Sequence, residues 1–152
     1  MRSKAWRGIV WGGLIAGAMD LTAAFILSGL RGRSPVQVLH TIASGLLGQA
    51  ASDGGAATAA LGGVLHFVIA FSWAAIYWAA SRKLAVLVDQ AILCGLLYGV
   101  IVWLVMNLVV LPLSAFPHQM TFTPRGVTTG VLVLMFCIGL PIALAVRRAS
   151  RS

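Results

Sequence analysis

Apolar positions along this chain gather into long unbroken runs, without the 3.6-residue stripes or strict alternation of a water-soluble fold. Four runs are long enough to cross a bilayer, which takes about 20 helical residues. They cover roughly residues 8–30, 57–80, 91–112 and 127–146.

Between the first two runs the pattern changes. In "RGRSPVQVLHTIASGLLGQAASDGG", Ser34 is placed as an N-cap and Pro35 in a first helical turn. Val36, Leu39, Ile42, Ala43, Leu46 and Leu47 then recur at helical spacing, while Gln37, His40, Thr41 and Ser44 fall largely on the other side. Residues 35–48 are too few to span, so they read as an amphipathic helix lying at the interface or as a re-entrant piece. The fold class that follows is all-α. It is an integral membrane four-helix bundle with an additional amphipathic helix on its outer face, in a single transmembrane domain over residues 1–152.

Composition makes the solvent clear. The chain is 60% hydrophobic and only 9% charged, where a soluble domain carries about a quarter charged residues. Its mean hydropathy is +0.97. The basic start "MRSKAWR" fits a signal peptide, but the run that follows is long and carries Asp20, whereas a signal core has about 7–15 apolar residues. The first span is therefore read as retained.

Charge sets the topology. The net charge is +8, and the basic residues cluster beside the apolar runs. With four spans, Arg2, Lys4, Arg7, Arg82, Lys83, Arg147, Arg148 and Arg151 share one side, and Arg31, Arg33 and Arg125 the other. If residues 35–50 also spanned, the amino-terminal cluster would fall on the poorer side, with Arg125. The positive-inside rule therefore places both termini in the cytoplasm and residues 35–48 outside. Trp6, Trp11 and Trp78 then fall near the cytoplasmic ends as interface anchors. The same reading makes membrane lipid the partner and excludes nucleic acid, because the aromatics lie inside the apolar runs and offer bases no stacking surface.

Small residues recur at four-residue spacing: Gly8 with Gly12, Gly13 with Gly17, Gly95 with Gly99, and Gly126 with Gly130. Such pairs let helix backbones approach closely. The pattern serves packing within the chain and homo-oligomer formation equally.

Three polar residues lie inside the spans. Asp20 is flanked at helical spacing by Ala16, Gly17, Ala23 and Ala24, and His66 by Gly62, Gly63, Ala70 and Ala74. Small faces turn into a bundle, and both residues lie at nearly the same depth. Asn107 falls about one turn nearer the outer surface. Two roles compete for this candidate cluster of Asp20, His66 and Asn107. One is a static polar latch between helices. The other is a titrating Asp20–His66 pair along a proton or substrate path.

Other chemistry finds little support. A haem held between two membrane histidines needs a second one, and only His66 lies clearly within a span. His40, Asp53 and His118 lack metal-ligand spacing, so no metal and no cofactor is expected. No phosphate loop, GxSxG or HExxH motif occurs. Cys94 and Cys137 lie within apolar runs and read as small packing residues. Pro112 and Pro117 are expected to end the third span and Pro141 to kink the fourth.

Several phrases, "AGAMDLTAAF", "RGRSPVQVLHTIASGLLG", "AALGGVLHFVIAF", "GLLYGVIVWLVMNLVVLPLSA" and "GLPIALAVRR", resemble a family of small bacterial inner-membrane proteins distantly similar to the YagU-type family. The likeness spans nearly the whole chain. It implies a bacterial inner membrane and four spans, and it sets Asp20, His66 and Asn107 within recurring motifs. It brings no biochemical activity with it. Leu134 stands where relatives often have a histidine, so a shared histidine set would lack one member here.

The function expected from sequence is that of a non-enzymatic membrane protein, structural or stress-related. The alternative is a small proton-linked transporter or channel subunit built on Asp20 and His66.

Overall fold

The computed structural model describes residues 2–117 and 122–151, with side chains from Trp6 onward. Among the described residues every regular element is helical. Helix α1 spans Arg2–Gly29, α2 Pro35–Leu47 and α3 Ala56–Ser81. The short α4 is Val86–Asp89. Helices α5, Ala91–Leu113, and α6, Pro124–Arg151, complete the set. Four of these, α1, α3, α5 and α6, are long and apolar enough to cross a membrane.

Local chemistry explains the ends. Ser34 Oγ accepts from the Gln37 N–H at 3.2 Å, and Gln37 Oε1 accepts from the Ser34 N–H at 2.9 Å. This capping box starts α2 where the sequence places it. Gly48, at φ +62°, closes α2 and turns the chain into a 3₁₀ segment over Gly48–Asp53. Thr123 Oγ1 accepts from the Gly126 N–H at 3.1 Å and caps α6.

The two prolines act through wide turns. In α5, residues Met106–Val110 form a π turn in which the Leu111 N–H reaches Met106 O. In α6, Met135–Gly139 do the same, with the Leu140 N–H reaching Met135 O. Each turn lies just ahead of a Leu–Pro step. Proline has no N–H for the carbonyl four residues back, and the wide turn shifts the ladder past the gap. Pro112 lies in the last turn of the third span, which ends at Leu113, within one residue of the expected limit.

Helices pack in the order α3, α1, α6, α5, with α2 laid across α3. Close approach at glycine sets each contact. A Cβ at Gly12 would meet Ile142 and Ala145 on α6, and one at Gly17 would lie 2.8 Å from the Phe67 ring on α3. Gly13 faces Phe71 in the same way. Gly95 and Gly99 face the α6 backbone at Gly139 and Met135, and Gly139 itself touches the backbone of Gly95 and Gly99. Gly62 of α3 lies under the Leu39 carbonyl of α2. Gly130 packs on the Trp103 indole. Gly126 differs from the sequence expectation: it is exposed in the first turn of α6, and its near neighbour is its own cap, Thr123.

Burial runs opposite to that of a soluble protein. The buried set is rich in Ala16, Ala43, Ala70, Ala74, Ala91 and Ala143, joined by Tyr77, Val102, Ile138, Ile142 and Val146. Large apolar side chains such as Trp11, Leu97, Ile101 and Leu108 are exposed. A bundle with small residues inside and large apolar ones outside is built for lipid as solvent. The protein is a multi-pass membrane protein in this sense.

Helix α2 turns its sides in an order the sequence does not predict. Val36, Leu46 and Leu47 are exposed, whereas Ser44 is buried and Thr41 faces inward. Ser44 Oγ donates to Thr41 O at 2.6 Å, and Thr41 Oγ1 donates to Gln37 O at 2.8 Å. Thr41 and Ser44 have hydroxyls bonded to α2 carbonyls, and Arg33 also donates to Thr41 Oγ1. Both can therefore pack inward beside Val38 and Ala43, while Val36, Leu46 and Leu47 stay outside.

Candidate functional site

Helices α3 and α5 occupy the two open ends of the packing order, and a cavity of about 450 Å³ lies between them. Ile69 and Trp73 of α3 face Val102 and Met106 of α5 across it. Asp20 of α1, with Leu134 and Ile138 of α6, forms the back wall. The roof is Thr41, Ile42 and Gly45 of α2, with Ser114 and Phe116 after α5. The Ala115 N–H donates to Gly45 O at 2.9 Å and ties that roof together.

The opposite end is closed by tyrosines. Tyr98 Oη donates to Trp73 O at 2.8 Å, and the Tyr77 and Tyr98 rings meet edge to face at 4.9 Å. Tyr77 Oη donates to Leu87 O at 2.9 Å. The Tyr98 bond and the ring contact hold α3 to α5 where the glycines do not, and the Tyr77 bond ties α3 to α4. Leu46 and Val110 at the cavity margin are exposed, so the opening lies on the bundle's apolar flank.

Inside, His66 and Asp20 come together. His66 Nε2 lies 3.9 Å from Asp20 Oδ2, with side chains 13% and 20% exposed. The His66 Nε2–H donates to Gly17 O at 2.9 Å. A carbonyl only accepts, so Nε2 carries a proton in this geometry. The Asp20 carboxyl accepts no hydrogen bond among the described residues. The α6 thiol of Cys137 is within electrostatic reach of it.

Magnitudes bear on what this pair is for. An ionised Asp at a helix centre costs about 2.5–3.5 kcal/mol on insertion scales. An interhelical hydrogen bond in a membrane contributes about 0.6 kcal/mol on average. The bond from His66 to Gly17 therefore cannot offset a charged Asp20, and the carboxyl adds no bond of its own.

The other sequence candidates lie elsewhere. Asn107 Nδ2 donates to Trp103 O at 2.8 Å, one turn back on its own helix, and does not line the cavity. Its partner is a carbonyl beside the π turn of α5. His40 Nε2 bonds Gly55 O at 3.1 Å, and Asp53 is exposed. His118 lies outside the described residues. Cys94 and Cys137 are free thiols. Sequence reasoning missed Trp73 and the roof from α2. It also missed Gly17 O as a hydrogen-bond acceptor, since a backbone carbonyl carries no residue signal.

Comparison with protein families, with curated proteins and with solved structures finds no match for this chain.

Proposed function

We propose that the protein is a non-enzymatic, multi-pass component of a bacterial inner membrane that provides a proton-linked pathway for a small solute, with Asp20 and His66 as its protonatable pair. One observation carries the reading. The Asp20 carboxyl faces a cavity, stands 3.9 Å from His66 Nε2 and accepts no hydrogen bond among the described residues. A carboxyl that only held helices would be bonded across their interface. Here it is left free toward a space that a solute can enter.

A structural role is the second reading, and the bond between His66 Nε2 and Gly17 O favours it. The two separate in reconstituted vesicles loaded with a pH-sensitive dye. The pathway reading expects the full chain to speed proton entry after a pH step, and Asp20→Asn to abolish that while helix content is kept. Proton entry no faster than in protein-free vesicles overturns it. A change in melting temperature alone leaves the structural role standing.

The setting rests on charge and on the family resemblance of the motifs. Eight of the eleven Lys and Arg residues flank the end that carries both termini. The positive-inside rule supports cytoplasmic termini, with α2 on the outer face. A reporter enzyme fused after Ser152 is expected to be active inside the cell, and activity only outside overturns this orientation.

A further inference from the structure

The cavity has a definite charge character. No Lys or Arg lines it, and Asp20 is its acidic side chain. The titratable group in contact with Asp20 is His66 from α3, and the Cys137 thiol of α6 is within electrostatic reach without lining the cavity. Helices α2 and α5 bring none to the cavity wall, and the nearest fixed cation at the roof is Arg33, ahead of α2, which donates to Thr41 Oγ1 and Gln37 O on the exposed side. An anion would meet a carboxyl in a low-dielectric space with no cation on its wall. A cation would meet a carboxylate with unused lone pairs.

Hydrogen bonding narrows the class further. A carboxylate is an acceptor only, and none of its capacity is filled by the described residues. The Nε2 proton of His66 is committed to Gly17 O. A ligand that satisfies Asp20 must therefore bring its own donors. The remaining wall asks for an apolar body, since Ile69, Trp73 and Phe116 line it. The indole of Trp73 is also the best of the aromatic faces for a cation. A volume of about 450 Å³ falls in the range of small-molecule pockets, about 300–1,000 Å³.

We propose that this cavity binds a hydrophobic organic ammonium ion, with its apolar body against Ile69, Trp73 and Phe116 and its N–H groups on the Asp20 carboxylate. The inference rests on the proton-linked reading of the same pair. Binding is an exchange. The ammonium ion enters, the proton on Asp20 leaves to the medium, and N–H···O bonds replace the O–H bond. No electrons move. The cavity is neutral before the exchange and neutral after it, so no unpaired charge is left within the bilayer. Occupancy falls as pH falls, because protons compete with the cation for Asp20.

Three probes of one shape test this: phenylbutylammonium, phenylbutanol and phenylbutanoate, titrated calorimetrically into the full chain in detergent. The ammonium ion is expected to bind saturably, and the alcohol at least about tenfold more weakly. The carboxylate should not bind. Ammonium binding should release a proton, seen as a dependence of the heat on the buffer's ionisation enthalpy, and should weaken in acidic buffer. Asp20→Asn should weaken the ammonium ion about tenfold or more and leave the alcohol unchanged.

Equal binding of ammonium ion and alcohol overturns the proposal, as does preference for the carboxylate or the absence of saturable ammonium binding. The comparison on the unmodified chain decides this even where a variant fails to fold. Proton flux through Asp20 without ammonium selectivity would sink the ligand class and leave the pathway. Selective binding without flux would keep the ligand class and sink the pathway.

Discussion

At the scale of single residues, one proton orients the site. His66 Nε2–H is held by Gly17 O, which fixes the ring and keeps Asp20 at 3.9 Å, too far for a hydrogen bond. Replacing His66 by Leu removes the tie between α3 and α1. The expected loss is about 0.5–2 kcal/mol, read from equilibrium unfolding in a mixed detergent series. His66→Gln, which restores a donor, should recover part of it. Equal loss in both variants would show that the bond contributes nothing. Asp20 and His66 were legible as inward residues of one depth because each carries a face of small neighbours and lies a similar count from the outer end of its span. Asn107 was not separable from them in the sequence. Its amide meets its own helix, and nothing in residue type distinguishes an inward side chain from one that folds back on a carbonyl.

Helices bring a second set of tests. Gly139 lies against the backbone of Gly95 and Gly99, and backbone cannot swing aside as a side chain can. Gly139→Ala is therefore expected to cost about 1–3 kcal/mol as an overpacked contact, whereas Gly126→Ala, exposed beside its own cap, should fall within about 0.5 kcal/mol. Thermal unfolding in detergent measures both, and similar midpoints would refute this assignment of the α5–α6 contact. The spans themselves were readable because a bilayer demands length and apolarity together. The facing of α2 was not. Pattern rules assume that apolar means inside, and in a bundle surrounded by lipid that rule inverts for Val36 and Leu46. The prolines announced a disturbance in α5 and α6, but its form depends on a ladder shift that residue type does not encode.

For the whole molecule, the gap between α3 and α5 matters most. Glycine contacts draw α3, α1, α6 and α5 into a chain of close pairs, while the two end members are joined through Tyr77 and Tyr98. Above that junction the cavity opens on the apolar flank, where acyl chains would lie. A protein with Trp73 as its single tryptophan, the other four replaced by Phe, is expected to lose much of its fluorescence in vesicles of brominated lipid. Quenching no greater than for a water-exposed tryptophan would mean that the opening is closed to lipid. None of this could be read in advance, because a cavity is made by the absence of contact between elements and leaves no pattern in either one.

The pairing of α1 with α6 also has a consequence for biogenesis. These are the first and last of the described helices, and they share one of the most extensive interfaces among the described residues. A nascent chain threading into the membrane would hold α1 with Gly8 and Gly12 uncovered until Ile142, Ala145 and Val146 arrive. Helix α5 would wait as well, since its Gly95 and Gly99 dock on the same late segment. Insertion can proceed helix by helix, yet the order of these contacts makes closure of the α1–α6 and α5–α6 interfaces an event that follows synthesis of α6. Until that moment the intermediate exposes small-residue grooves, the surfaces on which a membrane chaperone or a second unfinished chain could lodge.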